Sequence, residues 1–358
     1  MKKELLMASA LVSTLGVASV AQAVTASYAG SMKIGAEFES ADDATTDSNT
    51  VMDQSNFNIS LSETTDGGTT ISTSFEIVDE GTVSADDDNA LKLTFTDGSA
   101  LEILNAGNAA GTNAVAVPGA SGEQAVGGTS TNNAPGDVDF AAGSTALGVE
   151  WHSAADFLAD GLSMSASFST DNGAAKTATA RLENSWGIGA TYVTSAGDTT
   201  LTIGGGVADG EIANTGTQAS ADKGGFNIGV SAVTGDLTIG VGYGDGDSFT
   251  ANDGTSTASN REIDGSVMKA GISYVTGDIT LALGVTAGEA KDSDTFGTAA
   301  TNDDSTDSTS ASVTYAVASG VSAVVGYTTV DTNNDGASTT DGGSASVSYT
   351  HLTLPTKA

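Results

Sequence analysis

The chain contains no cysteine, which excludes a disulfide framework, a zinc–thiolate centre and a redox thiol. Basic residues are scarce, with 11 Lys+Arg against 45 Asp+Glu and a formal net charge of -34. An electrostatic nucleic-acid binder needs clustered cations for phosphate contacts, so that class falls too. Aromatics make up 5% and hydrophobic residues 39% of 358 residues, which is thin for several well-filled soluble cores. The one long apolar run lies at the start. Lys2 and Lys3 precede an apolar stretch from Leu5 to Val20, and Ala21-Gln22-Ala23 gives a small-x-small cleavage site, so residues 1–23 read as a secretory signal peptide. Nothing later approaches a transmembrane helix. An exported chain without a helical span can still cross a membrane as a closed barrel, whose amides are all paired within the sheet.

What fills the chain is alternation. Tyr28, Met32, Ile34, Ala36 and Phe38 share one parity, while Ser27, Ser31, Lys33, Gly35 and Glu37 share the other. Period two places the sets on opposite faces of a strand. Sixteen such apolar sets follow one another, among them Phe57/Ile59/Leu61, Leu91/Leu93/Phe95, Leu162/Met164/Ala166/Phe168, Trp186/Ile188/Ala190/Tyr192, Phe226/Ile228/Val230/Ala232, Ile279/Leu281/Leu283/Val285 and a last partial set Ala345/Val347/Tyr349. The second face is nearly all Gly, Ser, Thr and Asn and does not make a core. Connections alternate between short turns such as Ala196-Gly197-Asp198 and Thr276-Gly277-Asp278 and long acidic loops over 39–54, 79–89, 105–142, 208–223, 244–265, 287–306 and 329–342. Sixteen antiparallel up-and-down strands, apolar outside and polar inside, describe an all-β transmembrane barrel with a water-filled lumen.

The aromatics sort by strand end. Phe38, Phe57, Phe75, Phe168, Phe226, Tyr243 and Tyr327 fall toward the loops, and Tyr28, Phe95, Trp151, Tyr192, Tyr274 and Tyr315 toward the turns. Two rings at the membrane interfaces produce that split, whereas a soluble sandwich would gather aromatics mid-strand.

These residues resemble a known family. The signal ending Ala-Gln-Ala, the opening from Val24 to Gly35, the hairpin segments Gly189-Ala-Thr-Tyr192 and Gly271-Ile-Ser-Tyr274, and a long third loop ending Pro135-Gly-Asp-Val-Asp-Phe140 look like a Gram-negative general-diffusion porin. The resemblance covers residues 24–346 and rests on pattern more than on an invariant motif. It implies a homotrimer in the outer membrane and a third loop folded into the lumen as a constriction. That loop, 105–142, is rich in Ala and Gly, with Glu123, Asp137 and Asp139 as its charges. Composition alone leaves a surface loop equally open.

Lumen charge sets ion selectivity. Parity turns Lys33, Glu37, Glu76, Lys92, Glu102, Glu150, His152, Arg181, Glu183 and Lys269 inward. In the family a basic wall cluster faces an acidic third loop; here Lys33, Lys92 and Arg181 are its plausible members, a thin group. The expected channel passes ions and small hydrophilic solutes passively, with a weak preference for cations. No enzyme is expected, because His152 and His351 are the only histidines and do not complete a Ser/His/Asp set. No cofactor is expected beyond loosely bound calcium. Asp331, Asn333 and Asp335 match the first half of an oxygen-ligand calcium loop, but Gly342 stands where a bidentate Glu belongs. A secreted acidic β-rich structural or adhesin-like surface protein binding calcium is the alternative, and it lacks the fixed short repeat of a calcium-loaded solenoid. At the C-terminus Leu352 and Leu354 break phase with Val347 and Tyr349, and Pro355 follows. Residues 347–358 therefore read as a non-native, adapter-derived tail replacing most of the last strand.

Overall fold

The computed structural model describes residues 24–41, 48–79, 83–85, 91–104, 108–119, 148–169, 181–213, 221–250, 261–295, 303–334 and 340–351. The first half holds β1 (Thr25–Ala41), β2 (Ser48–Thr64), β3 (Thr70–Asp79), β4 (Val83–Ala85), β5 (Leu91–Thr94), β6 (Ala100–Ile103), a one-turn helix α1 (Ala109–Thr112), β7 (Gly148–His152) and β8 (Leu162–Ser169). The second half holds β9 (Arg181–Ala196), β10 (Thr199–Ala213), β11 (Ala221–Thr234), β12 (Leu237–Thr250), β13 (Arg261–Thr276), β14 (Ile279–Thr295), β15 (Asp303–Ala318), β16 (Val321–Asn334) and β17 (Thr340–His351). Ladders are antiparallel throughout. The first strand pairs with β2 and also with the last, from Met32↔His351 to Ala41↔Gly342, so the sheet returns to its own beginning. A sheet closed in this way has no unpaired edge to expose to lipid.

Seventeen strands make sixteen staves. Ile77 pairs with Ala85 and Thr70 with Thr94, so β4 and β5 are two pieces of the stave next to β3. The sixteen strands expected from the sequence are present, the fourth of them in two pieces, and the register along β3 shifts between the pieces. The long loops are also shorter than expected. Strands β10 to β16 run past their apolar residues, to Ala213, Thr250, Thr295 and Asn334 on one side of each loop and from Ala221, Arg261 and Asp303 on the other. Backbone pairing needs amides and not apolar side chains, so polar, acidic segments extend the ladders beyond the lipid band. Strand β17 carries its ladders on both sides as far as His351, and 352–358 lie outside the described residues, as does the signal segment 1–23.

Burial is inverted relative to a soluble protein. Ile188 (47% exposed), Ile239 (46%) and Ile228 (54%) face outward, while Ser169, Ser310 and Asn227 are buried. The buried hydrophobic residues among those described are Ala100, Ala109, Ala110, Ala208, Val267 and Val324, and they do not form a core. The outward set has no burial to gain except in lipid, which is where the hydrophobic effect places it. Of the aromatics assigned to the rings, Tyr28, Phe38, Phe95, Phe168, Tyr192, Tyr243, Tyr274, Tyr315 and Tyr327 are exposed, and Trp151 is half-buried edge-on against Phe157 at 5.6 Å. Tyr243 donates its hydroxyl to Asp245 Oδ2 at 3.0 Å, which turns its polar end away from the apolar band. Phe57 departs from its expected loop-end position. It stacks on turn-end Tyr28 at 6.1 Å, because β2 begins as early as Ser48 and leaves Phe57 mid-strand.

The turn ends are tight. Gly197-Asp198, Gly235-Asp236 and Gly277-Asp278 each join two strands as two-residue hairpins with the glycine at φ 63°, 56° and 59°. Only glycine adopts that backbone without strain, and it sets the register of the hairpins that follow.

Candidate functional site in the barrel lumen

The lumen is organised around the start of the third loop. Strand β6 is four residues long and stops where Leu104 takes a left-handed backbone at φ 65° and donates its N–H to Gly148 O at 2.9 Å. A leucine there is sterically costly, and the cost is met where the chain must leave the wall. Residues 108–119 then lie against the inner faces of β8 to β13. The described part of the loop is therefore inside the barrel, and the surface-loop alternative does not hold for it.

Polar wall groups hold this segment. Glu150 Oε2 accepts from the Asn108 N–H at 2.9 Å, and Ser167 Oγ accepts from the Ala109 N–H at 3.1 Å. Asn108 Oδ1 caps α1 by accepting from the Gly111 N–H at 2.8 Å. Asn113 donates to Ala109 O at 2.8 Å and accepts from the Thr191 hydroxyl at 3.1 Å, while Asn227 donates to Ala110 O at 3.0 Å. Four staves thus satisfy backbone or side-chain groups that a non-repetitive segment buries without a ladder. Beyond α1 the run Ala114-Val-Ala-Val-Pro-Gly119 is uncharged. With the wall it encloses a lumen cavity of about 330 Å³, whose lining includes Val115, Val117, Asn227, Lys269 and Thr286.

The charged part of the lumen lies at the loop root. Glu102 and Glu150 stand directly opposite on β6 and β7, an arrangement that is unfavourable between like charges. It is relieved by Lys92 Nζ, 2.7 Å from Glu102 Oε1; His152 lies between the two acids, its Nε2 3.5 Å from Glu102 and its Nδ1 3.8 Å from Glu150 Oε1. His152 Nδ1 also meets Ser165 Oγ at 3.2 Å, and Glu150 Oε1 is buried without a hydrogen-bond partner. Lys92 is half exposed, so its pair with Glu102 adds about 0–1 kcal/mol to stability.

The expected wall residues therefore fall into two groups. Lys92 joins Glu102, Glu150 and His152 in one cluster, and Lys269 stands apart on β13 beside the loop. Lys33 and Glu37 lie on β1 and Arg181 opens β9, with their side chains outside the described set. The expected constriction acids Glu123, Asp137 and Asp139 lie outside the described residues. Asp331 and Asn333 belong to the extended strand β16, and Asp335 lies outside the described residues. Among the described residues no group of three or more His, Cys, Asp or Glu side chains is placed to hold a metal ion. The anchoring Ser167, Thr191 and Asn227 were not singled out in the sequence. Their one signal is a hydrogen-bonding side chain on the inward parity.

The sequence matches the Gram-negative porin family over residues 8–335, and the chain belongs to that family. It is an outer-membrane channel protein. No curated protein matches the sequence. Solved structures with the same fold include an anion-selective porin from Comamonas acidovorans, at 10% identity, covering 92% of this chain and 100% of that one with a TM-score of 0.65. The outer membrane channel DcaP of Acinetobacter baumannii matches at 11% identity, 92% and 97% coverage and a TM-score of 0.64. A trimer form of in-vitro folded OmpT, an outer membrane protein of Vibrio cholerae, matches at 14% identity, 93% and 100% coverage and a TM-score of 0.62.

Proposed function

We propose that the protein is a passive diffusion channel for ions and small hydrophilic solutes, weakly selective for cations, working as a homotrimer. The observation that carries this reading is the lumen face. It is built of Gly, Ser, Thr and Asn, holds few charges, and is narrowed on one side by an uncharged loop segment. Such a surface hydrates solutes without binding them tightly, as passive diffusion requires. A secreted adhesin-like protein is not favoured, since it has no use for an outward apolar band.

Cation preference is argued from charge. Lys92 is paired with Glu102, and the chain carries 45 acids against 11 bases. Loop acids act through salt water, where their field fades over ~8–10 Å, so preference stays weak and grows as salt is lowered. We propose that Glu123, Asp137 and Asp139 of the third loop, which lie outside the described residues, add to this preference. One fold-mate is named as anion-selective, so the fold by itself does not carry the cation preference proposed here. Reversal potentials across a salt gradient test the reading. We expect a cation-positive potential that shrinks in the Asp137→Asn/Asp139→Asn double variant; anion preference in the unaltered protein would overturn it. The trimer is proposed from the trimer form of the Vibrio structure, and chemical cross-linking in detergent that stops at monomer would refute it.

A further inference from the structure

We infer that glycines on the lumen face of β9 to β13 form a trench cut to the backbone of the third loop, and that their missing side chains set the bore of the channel. The inference rests on the channel reading above.

The glycines meet the loop in order as it advances across the staves. A Cβ on Gly189 of β9 would run into the Ala109 carbonyl oxygen. On β10, a Cβ on Gly206 would lie 2.6 Å from Ala110 Cα and equally close to Ile188 O of β9, and one on Gly204 would lie 2.5 Å from Asn113 O. On β11 a Cβ on Gly229 would sit 2.8 Å from Val115 Cβ; on β12 one on Gly240 would sit 2.7 Å from Pro118 Cδ; on β13 one on Gly271 would strike the Pro118 carbonyl. Most of these obstacles are backbone atoms, which cannot rotate away. A glycine inside a strand costs roughly 0.5–1 kcal/mol relative to alanine, and it marks close approach of another backbone. Here that backbone is seen. The hydrogen bonds from Thr191 and Asn227 pull the loop against the same wall, so the segment is both drawn in and given room.

The bore follows. The closed sheet is rigid and resists outward movement, so a side chain added in the trench moves the loop toward the axis. A plain small-residue lining predicts something different, since any methyl added to the lumen would then narrow the passage alike.

The experiment uses the full-length refolded channel carrying Gly206→Ala, Gly229→Ala or, on a stave that the described loop segment does not touch, Ser62→Thr. Single-channel conductance falls to roughly half in both glycine variants and is unchanged in Ser62→Thr. Gly229→Ala is the milder change, because its contacts are longer, 2.8 Å to Val115 Cβ and 3.3 Å to Val241 O, and it remains informative if Gly206→Ala does not fold. Adding Val115→Gly to Gly229→Ala restores most of the conductance, a non-additivity expected only of groups in contact. Nitroxide labels at Ala116→Cys and Ser60→Cys, which lie on opposite sides of the lumen, give a shorter distance in Gly206→Ala. Equal conductance loss in Ser62→Thr, no rescue by Val115→Gly, or an unchanged label distance would each overturn the trench. A silent unaltered protein with a shortened label distance would instead refute the channel reading and leave the trench standing.

Discussion

The two sides of the lumen hold the same loop by opposite means. At the root, β7 and β8 hold the chain through hydrogen bonds accepted by Glu150 and Ser167, beside the charged wall group Lys92, Glu102 and His152. Along β9 to β13 the wall presents glycine, and it fixes the chain by leaving space, with Thr191 and Asn227 as the polar ties. The contrast teaches that a wall can position a non-repetitive segment by what it omits. Under the two proposals above it also separates two properties of a channel, with ion preference assigned to the charged side and width to the neutral side.

The largest expected effect breaks the neutral side. Gly271→Val puts its Cβ on the Pro118 carbonyl, and overpacking of this kind costs about 1–3 kcal/mol or more. The temperature at which the folded band is lost on gels should fall more than for any change below, while the outward residues keep the barrel insertable. Next comes the charged side. Glu150→Ala removes the carboxylate that accepts from the half-buried Asn108 N–H, a loss of about 1–3 kcal/mol. Glu150→Gln keeps an acceptor and removes the repulsion with Glu102, so its melting shift should be clearly smaller. Equal shifts would mean that charge and not the hydrogen bond anchors the loop.

Asn227→Ala and Thr191→Val should each cost about 0.5–1.5 kcal/mol, since each removes one tie to the loop. Neither changes charge, so reversal potentials should not move; a shift would dissolve the division between the two sides. Lys92→Met reverses that pattern. Stability changes by about 0–1 kcal/mol, yet cation preference rises because Glu102 loses its partner. The smallest effect lies in the turn between β5 and β6. Asp97 Oδ1 accepts from the Ser99 hydroxyl at 2.7 Å and from the Ser99 N–H at 2.9 Å, and these bonds hold its carboxyl below the usual range. Its contribution is complete above the ordinary carboxylate pKa of about 4 and fades as pH falls through the lower folded value. Asp97→Asn should therefore lower stability slightly at neutral pH and flatten the acid side of the curve, because the contribution it removes is already lost at low pH.

Much of this was legible in the sequence, because a half-buried strand writes its period directly into the chain. Ile188 and Ile239 face outward as their parity requires, and Glu102, Glu150 and His152 meet on the inward face assigned to them. Strand ends were not legible where Asp, Ser and Thr continue a ladder above the lipid, since no apolar signal accompanies an amide pair. The break between β4 and β5 is equally silent. The inward glycines were visible as a small polar face, but not as a trench. That meaning depends on which backbone passes over Gly204, Gly206 and Gly229, and sequence spacing does not place Asn113, Ala110 and Val115 there.

Single-channel recording of the purified, refolded protein in a planar bilayer tests the account most directly. It predicts discrete, stepwise currents that rise with salt concentration, with a small cation preference that strengthens in dilute solution. A barrel that inserts, shows its folded band on gels and passes no current would contradict it.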